Sequence, residues 1–218
     1  MNRLLFEKTG NAVWISHLDL MRVLQRSFRR AGLMLKHTGG FNQHAYVSLA
    51  LPLPVGTESH CEILDYTLED AIAPEELKSR LNAALPEGIR VIEVYESDEK
   101  LKYLTHLSAR VELSYDGGVP EGAEKSIEEL FRRPVLEVEK KGKNGISELD
   151  IRPMILSLGV RKTSGEQLAL DAVVCAQNPS LNPALLEAAV SRYLPEFRPD
   201  VSRVIRLEML RNDGTAFR

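Results

Sequence analysis

Four arginines, Arg22, Arg26, Arg29 and Arg30, fall within one stretch that reads as a helix. At 100° per residue they gather on one side, while Leu20, Leu24, Phe28 and Ala31 gather on the other with Met21 at the edge. A guanidinium grips phosphate oxygens through a planar fork of donors, so such a row suits a polyanion. Lys36, His37 and His44 follow on the next strand and loop and extend the same surface. Phe41 and Tyr46 flank His44 and are placed to stack on unpaired bases, as aromatic rings do at single-strand RNA sites. The bland alternatives are a solvated helix face for the arginines and loop or core anchors for the two rings.

An acid–base reading exists beside the binding one. His37, His44 and Tyr46 are close enough in sequence to converge around the Gly39-Gly40 turn. Metal-free RNA cleavage needs a base for the 2′-hydroxyl and an acid for the leaving oxygen, and imidazole suits both tasks. That would make the chain a metal-independent endoribonuclease. His17, near the apolar side of the helix, is expected in a hydrogen-bonded structural role.

Several chemistries are unsupported by the residues. No glycine-rich phosphate loop precedes a Lys-Ser/Thr pair, and no GxGxxG opens a helix. Cys61 and Cys175 stand alone, which excludes a Cys-ligated zinc or iron–sulfur centre within one chain and points to thiols in a reducing compartment. No close pair of histidines or acidic cluster suggests a metal, so neither metal nor cofactor is expected, and an enzyme is the less favoured reading. Charge is unevenly spread: residues 1–50 hold seven Lys/Arg and two Asp/Glu, whereas the rest hold 21 and 29. A basic first quarter on a mildly acidic chain favours a local, salt-sensitive contact with a polyanion or acidic partner. There is no signal-like start and no apolar run of membrane-spanning length, so a cytoplasmic protein without membrane contact is expected.

The elements that must position these groups are legible from pattern. Arg3–Lys8 reads as a strand; Ser16 caps a helix that runs to about Ala31, with Gly32 ending it. Leu33–Thr38 reads as a second strand stopped by Gly39-Gly40, and residues 41–45 as a loop. Tyr46–Leu51 begins another strand, which Pro52, Pro54 and Gly56 break into a bulge or edge. Glu62–Leu68 resumes it, a helix opens at Pro74 with a Leu77, Leu81, Leu85 stripe, and Ile89–Tyr95 alternates as a strand. A polar connector at 97–107 precedes a second series: strand 109–115, helix 121–132, strand 135–140, a lysine-rich turn, strand 167–176, helix 182–194 and strand 202–210. Residues 149–162 fit either a short helix or an added strand that turns at 163–166. The series predicts an α+β chain of two tandem, degenerate ferredoxin-like (β-α-β-β-α-β) units with antiparallel sheets, residues 1–97 and 108–218.

The runs FEKTGNAVWISHLDLMRVLQRSFRRAGL and GFNQHAYVSLALPLPVGTES, with LNAALPEGIRVIE and DIRPMI, closely resemble the radical SAM-linked protein family, also called domain of unknown function 2344. The resemblance implies a partner: such proteins are encoded beside, or fused to, a radical S-adenosylmethionine enzyme, often near genes for RNA processing and ribosomal proteins. It carries no catalytic residue over. Gln43 and Ala45 stand where the family commonly has prolines around His44, and the CxxxCxxC motif of the radical enzyme itself is missing. Residues and resemblance together predict a non-catalytic accessory protein that presents RNA or a ribonucleoprotein to that enzyme, with the 52–59 loop at the rim. A protein-only adaptor, its arginines meeting an acidic surface, is the third reading.

Overall fold

The computed structural model describes residues 2–41, 43–142 and 145–218, apart from the side chains of residues 141 and 142. Asn42 of the Gly-Phe-Asn motif, and Lys143 and Asn144 of the lysine-rich turn, lie outside the described residues. The architecture is mixed α+β, with antiparallel strand pairing and four α-helices among the described residues. It divides into two compact units, Met1–Tyr103 with Arg218, and Leu104–Phe217.

The first unit contains β1 (Asn2–Lys8), α1 (His17–Arg30), β2 (Val47–Leu49), β3 (Thr57–Tyr66), α2 (Pro74–Ala84) and β4 (Ile89–Glu96). Both neighbours of β1 are antiparallel, β3 and β4, and the short β2 pairs with the far end of β3, giving the order β4-β1-β3-β2. Alternation along β1 places Leu4 and Phe6 in the core with Leu20, Leu24 and Phe28 of α1 and Leu77 and Leu81 of α2. Phe28 meets Tyr66 of β3 with ring centroids 5.3 Å apart and planes tilted by 46°. On the opposite side of β1, Arg3 is buried and donates to Asp65 at 2.6 Å and to the Glu99 carbonyl at 3.0 Å. Asn82 of α2 binds both backbone groups of Val91, its amide donating to the carbonyl and its carbonyl accepting from the N–H.

The second unit contains β5 (His106–Ser114), α3 (Ala123–Phe131), β6 (Glu137–Gly142), β7 (Gly145–Asp150), β8 (Ile155–Ser164), β9 (Gln167–Cys175), α4 (Ala184–Tyr193) and β10 (Val201–Leu210). Its sheet has the order β10-β5-β9-β8, again antiparallel throughout. Strands β6 and β7 form a separate two-stranded ribbon.

Two expectations are corrected and one open choice is resolved. Leu33–Thr38 is not a regular strand: among the described residues it makes only the single bridges Leu35 to Leu68 and His37 to Ala45. The strand expected at Glu62–Leu68 starts earlier, at Thr57, and carries its irregularity opposite Phe6 and Lys8 rather than at the prolines. Residues 149–162 hold both alternatives in succession, a 3-10 turn at Arg152–Met154 and then β8. Strand β7 was not foreseen, since its residues are exposed or half-exposed and give no apolar alternation.

Two outcomes follow. Gly88 sits at φ +84°, and a Cβ there would collide with the Thr9 carbonyl oxygen and come within 2.8 Å of the Ala12 Cβ. Gly88→Ala is therefore expected to destabilise the protein by roughly 2–4 kcal/mol in denaturant titration, from the left-handed backbone and the overpacking together. Burial pushes the Tyr66 phenol from its ordinary value of 10.0 up to about 12. Below that ordinary value the phenol is neutral folded and unfolded alike. Between the two values the unfolded chain sheds a proton that the folded chain keeps, so stability drops as pH rises through this window. Tyr66→Phe is expected to flatten that drop when stability is measured as a function of pH.

Candidate nucleic-acid interface

Helix α1 begins with Ser16, whose hydroxyl accepts from the Asp19 N–H at 3.2 Å and donates to its carboxylate at 2.8 Å. That bond, with the Arg22 guanidinium 2.8 Å away, holds the Asp19 carboxyl below its ordinary range. Burial of Leu20, Leu24, Ser27 and Phe28 fixes the rotation of the helix and leaves Leu18, Arg22, Gln25 and Arg29 as an exposed i, i+4, i+7, i+11 stripe.

The four arginines do not share one fate. Arg22 is paired with Asp19, both side chains more than half exposed, and such a solvent-screened pair adds little stability and yields readily to a stronger anion. Arg30 donates to the Ala84 carbonyl at 2.7 Å and to the Ser27 hydroxyl at 2.9 Å. Ala84 is the last residue of α2, so Arg30, although exposed, caps the negative end of that helix. The side chains of Arg26 and Arg29 are exposed and make no hydrogen bond or ion pair among the described residues.

Arg26, Arg29 and His37 line one cleft of about 440 Å³, whose remaining walls include Gln25, Met34 and Ala45. The antiparallel bridge between His37 and Ala45 puts both on one side of the local hairpin. Their chain neighbours Lys36 and His44 take the other side, because successive residues of an extended chain alternate. Both are exposed and neither lines the cleft. Phe41 is fully exposed at the tip of this hairpin and Tyr46 is half exposed, so neither is a core anchor, and neither lines the cleft. His37 and His44 therefore lie on opposite sides of the hairpin, while His44 and Tyr46 share one. His17 departs from expectation at one ring nitrogen: its Nδ1 is buried with no hydrogen-bond partner among the described residues.

Sequence reasoning missed Gln25, Met34 and Ala45, and it missed three exposed apolar side chains. Trp14 is 70% exposed, Leu18 67% and Val55 55%. Gly56, next to Val55, donates its N–H to the Val13 carbonyl at 2.8 Å, and its α-carbon faces the Trp14 ring. The available signal was Leu18, an apolar residue on the cationic stripe.

A larger cleft of about 980 Å³ lies in the second unit. Carboxylates of Glu139 and Glu187 line it beside Lys140 and Arg192, and Arg192 is already paired with Glu148 at 2.7 Å. With both signs present it lacks the one-sided charge of the α1 surface. No helix among the described residues is long and apolar enough to cross a membrane.

No curated protein matches the chain. Among solved structures, a crystal structure of a Cbf5-Nop10-Gar1 complex contains a chain similar in fold, at a TM-score of 0.52 and 9% identity over 95% of the present chain. The present chain spans 48% of that one, about half its length. A crystal structure of an unknown protein from Galdieria sulphuraria aligns at a TM-score of 0.26 and 13% identity, over 94% of this chain and 96% of the other. Residues 2–183 match the family described as "Uncharacterized protein conserved in bacteria (DUF2344)", and the chain belongs to that family.

Proposed function

We propose that this protein is a non-catalytic accessory partner of a radical S-adenosylmethionine enzyme, and that it holds RNA or a ribonucleoprotein on the exposed face of α1. The observation that carries the RNA reading is the pair Arg26 and Arg29, exposed and without an ionic partner among the described residues, at a cleft shared with His37. Guanidinium forks held only by water are available for charge-assisted hydrogen bonds to an anion that docks there. Arg22, weakly held, adds a third contact. The enzyme partnership rests on the family resemblance, and the exposed apolar side chains of Trp14, Leu18 and Val55 are the surface assigned to it.

Each unit is further read as a ferredoxin-like repeat in a cytoplasmic protein, divided near 97–108. The strand order β4-β1-β3-β2 in the first unit, matched by β10-β5-β9-β8 in the second, supports the repeat.

With end-labelled single-stranded RNA, fluorescence anisotropy of the Arg22→Ala/Arg26→Ala/Arg29→Ala variant is expected to show weaker binding and a salt slope shallower by roughly one unit per lost phosphate contact. Unchanged binding would remove RNA from the reading. Native co-purification of the enzyme is expected to survive ribonuclease treatment and the arginine variant, and to be lost in Leu18→Asp. Loss in the arginine variant but not in Leu18→Asp would instead favour the protein-only adaptor.

A further inference from the structure

We infer that the cleft beside α1 receives one unpaired nucleotide of a bound RNA strand, its phosphate held by Arg26 and Arg29 and its base lodged against Met34 and Ala45. This rests on the RNA reading above and goes beyond it, since a charged face alone would bind backbone without seeing bases.

The walls divide by chemistry as a nucleotide does. Arg26 and Arg29 stand three residues apart on α1, the spacing at which side chains become neighbours on one helix face. Two guanidinium forks at that spacing can share one phosphate or bridge successive ones. Across from them, the extended segment after α1 supplies an apolar surface: Met34 is exposed, although Leu33 and Leu35 on either side of it are buried. An unbranched thioether is a shape-adaptable floor for a flat ring. Gln25 adds an amide, one acceptor and a donor pair, suited to the edge of a base. His37 adds a ring that can donate to phosphate or ribose oxygens.

Size decides between one nucleotide and a larger object. At about 440 Å³ the cleft lies in the range of roughly 300–1,000 Å³ typical of small-ligand sites and is too small to seat a duplex. Sequence-tolerant single-strand binders combine a cationic track with surfaces that hold bases, and this cleft brings both into one place.

The test compares a ten-nucleotide single-stranded RNA with an abasic oligomer of the same backbone, by anisotropy at several salt concentrations, on the native protein and two variants. Met34→Ala shortens the apolar floor at an exposed position, and Ala45→Phe narrows the cleft without replacing a cation. The native protein is expected to prefer the intact strand by roughly tenfold, within the range a held base contributes. Both variants are expected to lose that preference and keep the salt slope, with circular dichroism confirming the fold. Adenosine monophosphate is expected to compete with the intact strand on native protein and to fail on Ala45→Phe. Equal affinity for intact and abasic strands, unaltered in either variant, overturns the nucleotide site while leaving backbone binding standing. Failure to bind either strand at low salt overturns the RNA reading itself, and monophosphate binding without strand binding reassigns the cleft to a free nucleotide.

Discussion

Helix α1 has one rotation open to it. Leu20, Leu24 and Phe28 leave water together only if they all face the strands beneath, and the contact of Phe28 with Tyr66 fixes where the helix sits along them. Burying three large apolar side chains is worth several kcal/mol at about 1.5–3 kcal/mol each, more than the mutual repulsion of exposed arginines costs in water. The guanidinium groups are therefore presented as a by-product of core formation. Any substrate that exploits them meets a surface whose geometry is set from below.

Polar contacts then sort cations that share a face. Arg30 is drawn to the carbonyl end of α2, where the helix dipole and the free backbone oxygen of Ala84 favour a positive charge. Arg22 leans back on the carboxylate that belongs to the helix cap. Arg26 and Arg29 lie between these two anchors, and their position beside the cleft gives them the environment the others lack. Charge content alone could not have ranked the four.

Much of this was legible in the residues. The periodicity of residues 17–30, Ser16 as cap and the proline opening α2 are local signals, and the helices lie within two residues of where those signals put them. What escaped was tertiary. Whether Leu33–Thr38 forms a ladder depends on partners elsewhere in the chain, and among the described residues only single bridges to Leu68 and Ala45 form. The cleft exists because a hairpin passes beside α1, so Met34 and Ala45, ordinary residues in isolation, gain meaning only from that approach. The different position of Arg30 likewise depends on a carbonyl 54 residues further along the chain. Strand β7 escaped for another reason: its own residues are exposed or half-exposed, the ribbon's buried Val138 lying on β6, and so they carry no alternating pattern.

The hairpin beside α1 has one more property. Thr38 donates its N–H to the His44 carbonyl at 2.8 Å, while the His44 N–H returns to the Thr38 hydroxyl at 3.0 Å. The two ends of this excursion are thus tied before anything docks, and Phe41 projects from the tip. Closing a loop carries an entropy penalty, and here it is borne by folding itself rather than by the encounter. A molecule that reaches the Phe41 ring meets a loop whose ends are already joined, which favours rapid, readily reversible capture over slow mutual rearrangement.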